Sequence, residues 1–251
     1  MSNDRPVMLV TGGSRGIGAA TSIMAAHRGY DVAITFVADA DAAERVVDAC
    51  SAAGAAVVAI RADVADEDDV VNAFDQTTGE LGPIRVVVNN AGILHRAARL
   101  DEFDLDRLRE VMAVNVIGAI MVAREAVRRM STRHGGTGGA IVNVSSAASY
   151  LGSPNEFIDY AASKGAVDSM TIGLAKEIAT EGVRVNGVRP GLIATDIHAS
   201  SGIVDRIGRL SPDVPMQRGG GADEVAEAIL WLASDAASYV TGALLNVAGG
   251  R

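Results

Sequence analysis

Tyr160 and Lys164 lie four residues apart in a stretch whose residue pattern predicts a helix. Residues at positions i and i+4 share one face of a helix, so the phenol and the ammonium point the same way. Ser146 follows a predicted strand just before this helix, and we expect its hydroxyl to approach the same point. A phenol, an ammonium and a hydroxyl placed together could exchange a proton with a C–OH/C=O couple.

A glycine-rich turn near the amino terminus could bind a dinucleotide. The segment 11–18 reads TGGSRGIG, between a predicted strand and a predicted helix. Gly12 permits a tight turn, Gly16 lets the backbone approach a pyrophosphate, and Gly18 allows close helix–strand packing. The free N–H groups at the start of the helix then face the phosphate oxygens. The alternative is a βα turn without a ligand. We predict that the dinucleotide contacts Gly12, Ser14, Arg15, Gly16, Ile17 and Gly18.

The end of the second predicted strand indicates which nicotinamide cofactor the chain prefers. A carboxylate at that tip typically binds the adenosine ribose of NAD, but Phe36 stands there and the nearest acids, Asp39 and Asp41, come later. Arg15 could pair with a ribose 2′-phosphate in a bidentate manner. These residues favour NADP over NAD. The alternative is that Arg15 is a solvated loop residue, in which case NAD could be the cofactor.

The proton exchange depends on the pKa of the Tyr160 phenol. A free tyrosine titrates near pH ~10, which is too high for a base at neutral pH. A nearby ammonium and an oxidised nicotinamide ring both favour the phenolate. Lowering the pKa by about 3 units takes roughly 4 kcal/mol, which these two charges can supply. Ser146 would hydrogen-bond the substrate oxygen and fix it near the path of the hydride.

Short apolar runs alternate with longer helical patterns along the chain. Most of the runs are nearly continuous in apolar residues, as strands buried on both faces are. The alternation predicts an α/β fold, a doubly wound parallel sheet with helices on both faces, in one domain over residues 1–251. The predicted strands are Val7–Val10, Val32–Phe36, Ala56–Ile60, Arg85–Asn89, Ala140–Val144, Arg184–Val188 and Ala243–Val247, and helical segments include Ala42–Ala53, Asp66–Thr77 and Leu105–Met130.

Each candidate catalytic residue also has a structural interpretation. A Tyr–Lys pair at helical spacing is common on solvated faces, Asn115 within the helical run 111–120 could be merely exposed, and Ser146 could only cap a turn. Their joint occurrence at the ends of the fourth and fifth strands, together with the dinucleotide turn, favours catalysis.

Composition and charge exclude several other classes of protein. The 251 residues carry a net charge of −9, so the chain lacks the basic surface of a nucleic-acid binder. Cys50 is the single cysteine, which excludes an internal disulfide. No apolar run approaches the length of a membrane span, and the polar start lacks a signal peptide. We expect a cytoplasmic protein with neither nucleic acid nor a membrane as its partner.

Residues 191–216 interrupt the alternating pattern just after a predicted strand. Ligands bind outside the carboxyl ends of the strands in such sheets, so this insertion is a candidate substrate loop. The alternative is an ordinary surface loop.

These motifs resemble those of the short-chain dehydrogenase/reductase family, of the shorter single-domain type. The resemblance runs over essentially the whole chain. It implies a Rossmann-type, three-layer fold whose seven parallel strands have the order 3-2-1-4-5-6-7, and an NAD(P)-dependent oxidoreductase acting on a CH–OH group. The motifs are TGGSRGIG at 11–18, NNAG at 89–92, Asn115, SS at 145–146, YAASK at 160–164 and VRPG at 188–191.

The resemblance also implies a role for each matching residue. Tyr160 is the catalytic acid/base, Lys164 binds the nicotinamide ribose and lowers the tyrosine pKa, and Ser146 orients the substrate oxygen. Asn115 supports a water that relays protons to Lys164. Arg15 matches the basic residue of the NADP-preferring branch. The further cofactor contacts implied are Asp63, Val64, Asn89, Ala91, Gly92, Pro190, Gly191, Ile193 and Thr195.

The chain departs from the family pattern at two places. Ser146 and Tyr160 are 14 residues apart, one residue different from the commonest loop, and Ala248 stands where many relatives carry an acid, which bears on local packing. The family often forms tetramers, and we expect a homotetramer here. The residues that could make that contact are equally well explained by core packing; they are Trp231, Leu232, Tyr239 and Val240.

The expected mouth of the pocket mixes apolar and polar residues and identifies no substrate. His95 and His198 have no partner at metal spacing, so we predict no metal site. The segment 153–168 resembles both sugar-type dehydrogenases and 3-oxoacyl reductases. An NADP(H)-dependent oxidoreductase of secondary alcohols and ketones is favoured; an NAD(H)-dependent sugar-type dehydrogenase and a non-catalytic dinucleotide-binding scaffold are the alternatives. The expected mouth residues are His95, Ser149, Glu156, Phe157, Ile193, His198 and Met216.

Overall fold

A computed structural model describes residues 5–195 and 205–251 of the chain. The strands are β1 Val7–Val10, β2 Asp31–Phe36, β3 Val57–Arg61, β4 Ile84–Asn89, β5 Gly139–Val144, β6 Val183–Pro190 and β7 Leu244–Val247. The α-helices are α1 Gly16–His27, α2 Ala40–Ala52, α3 Glu67–Leu81, α4 Leu105–Met112, α5 Ala119–Met130, α6 Ala148–Leu151, α7 Ile158–Glu177, α8 Arg206–Leu210 and α9 Ala222–Ala233.

The seven strands form one parallel sheet in the order β3-β2-β1-β4-β5-β6-β7. This confirms the predicted α/β class and strand order. All seven predicted strands are present, with bounds shifted by at most two residues. Val10 of β1 pairs with Ile34 of β2 and with Val88 of β4, so the strand order reverses beside β1. A doubly wound sheet binds its ligands outside the strand ends at that reversal.

Helices cover both faces of the sheet because the strands are apolar on both sides. Along β1, Met8 and Val10 belong to one core with helices α1, α2 and α9. Val7 and Leu9 face the opposite core, which α3, α5 and α7 complete. The alternation of side chains along each strand therefore builds the three layers.

The segment predicted as one long helix, 105–130, contains a change of helix type. Helices α4 and α5 flank the π-helical residues Ala113–Gly118. A Cβ at Gly118 would lie 2.7 Å from the Val64 carbonyl oxygen, so the segment packs directly against the chain after β3. Such π segments often occur at functional sites. Among the helices of residues 5–195 and 205–251, none has the length and hydropathy needed to cross a membrane.

Candidate active site

A cleft of about 880 Å³ follows the carboxyl edge of the sheet, from the glycine turn to α7. It brings together most of the residues predicted for the site. They are Gly12, Ser14, Arg15, Gly16, Ile17, Asp63, Val64, Ala91, Gly92, Ser146, Tyr160, Lys164, Pro190, Gly191, Ile193 and Thr195. Three further predicted residues, Gly18, Asn89 and Asn115, do not line it.

The glycine turn has the backbone that its sequence predicts. Gly12 and Gly16 have φ of +62° and +53°, a region that glycine enters without a steric cost. Gly18 packs beneath the turn, where an added Cβ would lie 2.4 Å from the Gly12 carbonyl oxygen. The turn thus leads into the first residues of α1 with its backbone facing the cleft. This cradle fits a pyrophosphate group at a helix start.

Asn90 and Thr11 hold the turn in place, a role that the sequence interpretation missed. The Asn90 side chain donates to the carbonyl oxygens of Thr11 at 2.9 Å and of Gly12 at 3.1 Å. The Thr11 hydroxyl accepts from the backbone N–H groups of Asn90 and Ala91, both at 3.0 Å. These bonds tie the end of β4 to the end of β1. Two consecutive asparagines at the end of a buried strand were the available signal.

Asn89 has a different position from the one expected of a cofactor contact. Its side chain is buried within the fold and donates to the Ala119 carbonyl oxygen at 2.8 Å and to Asn143 Oδ1 at 3.1 Å. Side chains alternate along a strand, so Asn89 and Asn90 point to opposite sides. Asn89 therefore joins β4 to β5 and α5, and Asn90 and Ala91 face the cleft instead.

Tyr160, Lys164 and Ser146 meet at the far end of the cleft. Tyr160 and Lys164 lie one turn apart on α7, with the Lys164 Nζ 5.6 Å from the centroid of the phenol ring. Lys164 is only 4% exposed and donates to the Val144 carbonyl oxygen at 2.8 Å. Ser146 lines the same cleft as both of these residues. The predicted juxtaposition of these three groups is therefore present.

Burial shifts the pKa values of both groups on α7. It raises the pKa of the Tyr160 phenol above its usual 10.0, and the hydrogen bond from Ser146 opposes this rise, although part of the residue is open to the cleft. Burial lowers the pKa of Lys164 from 10.5 to about 8, against the attraction of Asp168. Lys164 was expected to lower the tyrosine pKa, but the shift comes from burial, with only Ser146 acting against it.

Asn115 lies behind the cleft in the π-helical segment. Its Oδ1 accepts from the Ile93 N–H at 2.8 Å, and its Nδ2 donates to the Ile93 carbonyl oxygen at 3.0 Å and to Ser163 Oγ at 3.1 Å. A Cβ at Gly92 would lie 3.2 Å from Asn115 Oδ1 and 3.3 Å from Lys164 Nζ. Asn115 thus holds the loop after β4 against α7, close to the lysine ammonium.

The end of the cleft beside the glycine turn presents a basic side chain. Arg15 is exposed and lines the cleft. Phe36 occupies the tip of β2, as expected, and the Asp39 carboxylate accepts from the Ala42 N–H at 2.9 Å, which caps α2. The Asp63 carboxylate accepts from the Ala65 N–H at 2.9 Å, so both acids already serve the local backbone.

The opposite end of the cleft contains only some of the expected mouth residues. Glu156, Phe157 and Ile193 line it, together with Arg206, which the sequence interpretation missed. His95 instead approaches Glu110, with 3.1 Å between Nε2 and Oε2. Ser149 does not line the cleft, Met216 lines a neighbouring depression, and His198 lies outside the described residues, as does part of the candidate loop 191–216. No group of three metal-ligating side chains occurs in the described ranges.

The residues considered for a subunit contact divide into two sets. Leu232 is 0% exposed and belongs to the core, and Val240 packs against the same core. Trp231 and Tyr239 are exposed on the surface. Ala248 packs against Gly191, where an added Cβ would lie 2.7 Å from the Ala248 Cα.

Comparison with known proteins agrees with this architecture. A family model described as enoyl-(acyl carrier protein) reductase matches residues 12–251. The chain is 49% identical to the uncharacterized oxidoreductase YgfF of Escherichia coli (strain K12), over 98% of this chain and 99% of the relative. It is 40% identical to cis-4-hydroxycyclohexanecarboxylate dehydrogenase of Sinomonas cyclohexanicum, over 97% of this chain and 95% of the relative.

Two solved structures resemble the whole chain. One is 3-ketoacyl-(acyl-carrier-protein) reductase from Brucella melitensis complexed with NADH, with a TM-score of 0.90 and 31% identity over 98% of both chains. The other is a blue fluorescent protein from a metagenomic library in complex with NADPH, with a TM-score of 0.88 and 37% identity over 98% of this chain and 97% of that one. The chain belongs to the short-chain dehydrogenase/reductase family and is an NAD(P)-dependent oxidoreductase.

Proposed function

We propose that the protein transfers a hydride between NADP(H) and a secondary alcohol or ketone, with Tyr160 as the proton acid/base. The observation that carries this proposal is the convergence of Tyr160, Lys164 and Ser146 at one end of a cleft that begins at the glycine turn. A cleft of this volume can hold a dinucleotide at one end and a small substrate at the other.

The residues of the cleft fit a nicotinamide dinucleotide. The turn at Gly12 and Gly16 would hold the pyrophosphate, Arg15 and Asp63 lie at the adenosine end, and Lys164 would bind the nicotinamide ribose. When bound, the nicotinamide supplies or accepts the hydride. The absence of side chains at Gly12, Gly16 and Gly92 keeps the floor of the cleft open along this path. The remaining predicted contacts would be Ser14, Ile17, Val64, Ala91, Pro190, Gly191, Ile193 and Thr195.

The protein's own groups suit the proton half of the reaction. In reduction, Ser146 would hydrogen-bond the carbonyl oxygen while the Tyr160 O–H gives that oxygen its proton; in oxidation, the phenolate would take the proton back. Burial raises the pKa of Tyr160 above 10.0 and so favours the protonated phenol, which is the form needed for reduction. Asn115 would act by holding the loop at Ile93 next to Lys164, and the predicted water relay is part of this proposal.

The preference for NADP over NAD rests on Arg15. A guanidinium beside the glycine turn, with Phe36 in place of an acid at the tip of β2, suits a 2′-phosphate. Solved relatives are complexed with either NADH or NADPH, so the fold accommodates both cofactors. We expect Arg15→Ala to raise the dissociation constant of NADPH and to leave that of NADH nearly unchanged. An unchanged ratio of the two constants would instead favour the NAD(H)-dependent alternative.

The proposed substrate class is broad. One relative is named for the oxidation of an alicyclic hydroxy acid, and other relatives are a glucose and ribitol dehydrogenase and a 3-oxoacyl-[acyl-carrier-protein] reductase. We propose a small-molecule alcohol or carbonyl compound as the partner. The panel for testing should contain alicyclic hydroxy acids, sugar alcohols and 3-oxoacyl thioesters.

Tyr160→Phe tests the catalytic assignment. It removes one oxygen and keeps the ring, so we expect turnover to fall by at least about 100-fold, as loss of a general acid usually does. Dinucleotide affinity, measured separately, should change little. Equal turnover by wild type and variant would defeat the role of Tyr160. Tight NADPH binding without activity over the whole panel would instead support the scaffold alternative.

The assembly of the protein and its location in the cell are also proposed. We propose one domain over residues 1–251, a cytoplasmic location and a homotetramer. The exposed Trp231 and Tyr239 supply apolar surface for a subunit contact. Sedimentation of wild type and of Trp231→Glu would test the tetramer.

A further inference from the structure

We propose that the substrate carries a carboxylate, separate from the reacting carbon, and that Arg206 binds it. This inference rests on the proposed function and names the substrate class of the same site. It concerns the end of the cleft that holds Tyr160, opposite to the end that holds Arg15.

Arg206 is a nearly enclosed side chain at the substrate end of the cleft. It is the first residue of α8, its side chain is 12% exposed, and it lines the same cleft as Tyr160. Its Nη2 lies 2.8 Å from Glu156 Oε2, and its guanidinium carbon lies 5.1 Å from the centroid of the Phe157 ring. Phe157 comes three residues before Tyr160, so these contacts hold the guanidinium near the amino end of the catalytic helix.

Most of the hydrogen-bonding capacity of Arg206 is unused. Its Nε and Nη1 atoms are buried and have no hydrogen-bond acceptor in the described part of the chain. Arg107 and Arg189 provide the comparison, because each donates from both Nε and Nη2 to a single carboxylate, that of Asp159 and of Asp168 respectively. A buried donor without an acceptor is unfavourable, so a ligand that supplies one gains affinity.

A carboxylate is the acceptor that best matches this arrangement. One oxygen would accept from Nη1 and the other from the second N–H of Nη2, and charge-assisted bonds of this kind are the strong ones. The contacts with the Phe157 ring and Glu156 already restrain the side chain, so little conformational freedom is lost when the ligand binds. Glu156 and Glu110 also line the cleft and would repel a doubly charged phosphate more than a monoanion. Apolar side chains of Leu94, Leu151 and Leu210 line the same cleft and suit a compact hydrocarbon body.

The test compares substrates of nearly the same shape, one charged and one neutral. Hydroxycarboxylates such as 4-hydroxycyclohexanecarboxylate are assayed against their carboxamides, with wild type, Arg206→Gln and the control Arg209→Gln. Arg209 is exposed on the same short helix and does not line the cleft. We expect wild type to prefer the carboxylates and Arg206→Gln to raise their KM by about 10- to 100-fold, the usual effect of losing a hydrogen bond to a charged group. The KM of the carboxamides and of the dinucleotide should stay within about twofold, as should all constants of Arg209→Gln.

Several results would overturn the proposal. The first is a wild type that turns over carboxamides as well as carboxylates. The second is an equal change of KM for both substrates in Arg206→Gln. Either result means that Arg206 only holds α8 in place and does not recognise the substrate. Calorimetric titration of cyclohexanecarboxylate into the dinucleotide-loaded protein gives a readout without turnover, and binding that Arg206→Gln leaves unchanged has the same meaning. Arg206→Lys keeps the charge without the fork and should recover part of the loss if Arg206→Gln folds poorly. Failure of the proposed function is distinguishable, because wild type would then reduce no carbonyl compound at all.

Discussion

Replacing Lys164 by methionine tests whether the active-site cation is held at a cost to stability. The ammonium is 4% exposed, donates one hydrogen bond to the Val144 carbonyl oxygen, and has its pKa lowered from 10.5 to about 8 because burial disfavours the charged form. The attraction of Asp168 offsets only part of this effect. Methionine has a similar length and no charge, so Lys164→Met removes the titration and keeps much of the packing.

The sign of the pH dependence follows from the two pKa values of Lys164. Below pH 8 the lysine is charged in both the folded and the unfolded chain, so the folded protein bears the full cost of the buried charge. Between pH 8 and 10.5 only the unfolded chain binds the proton, and the stability of the wild type therefore rises with pH. A shift from 10.5 to about 8 corresponds to about 3 kcal/mol in total, of which about 2 kcal/mol is gained by pH 9.5.

Urea unfolding of both proteins at a series of pH values measures this effect. The difference in the free energy of unfolding between wild type and Lys164→Met cancels the titration of the groups that both proteins share. Protein concentration is kept fixed because assembly affects stability. Lys176→Met, exposed on the same helix, controls for removal of a lysine. The wild type should gain about 2 kcal/mol on the variant from pH 7 to pH 9.5. A difference that stays constant over that range would refute the argument that burial dominates at Lys164.

Two further substitutions test the packing around the site. Gly18→Ala should cost about 1–3 kcal/mol in urea unfolding and weaken dinucleotide binding, since its Cβ would lie 2.4 Å from the Gly12 carbonyl oxygen. Gly79→Ala is the control, because Gly79 is exposed on α3 with open space around an added Cβ. This control should stabilise the protein by about 0.5–1 kcal/mol. Arg107→Met leaves the buried Asp159 carboxylate without donors at 2.7 and 3.1 Å and should cost about 3–5 kcal/mol. Adding Asp159→Asn should recover part of that loss, and an equal loss in single and double variants would contradict the unpaired-charge explanation.

The sheet was predictable because parallel strands that are buried on both faces appear in the sequence as continuous apolar runs. Runs such as Val86–Val88 are apolar without interruption, and the glycine turn marks where the first strand ends. The π-helical segment Ala113–Gly118 was not predictable from periodicity, since its departure from the α-helical period spans only a few residues. Its Gly118 packs against Val64, which lies more than 50 residues earlier, and a local sequence pattern does not reveal such a contact.

The site was predictable where one residue type has one evident use. Tyr160 and Lys164 were assigned to one face because helical spacing alone determines it. Asn89 and Asn90 are chemically identical neighbours, and only the direction of the strand decides which of them faces the cleft. Arg206 follows a segment without clear periodicity, so its place at the substrate end depends on tertiary contacts with Glu156 and Phe157.

The same enclosure shifts the two groups on α7 in opposite directions. Asn115 holds the loop after β4 close to Lys164, and a side chain at Gly92 would crowd the ammonium at 3.3 Å. Because burial disfavours charge, the pKa of Lys164 falls to about 8 while the pKa of Tyr160 rises. The phenol therefore keeps its proton beside an ammonium that releases one more easily than in water. Under the proposed function, the enclosure that lowers the pKa of Lys164 also favours the protonated form of Tyr160, which is the form that serves as the acid in carbonyl reduction.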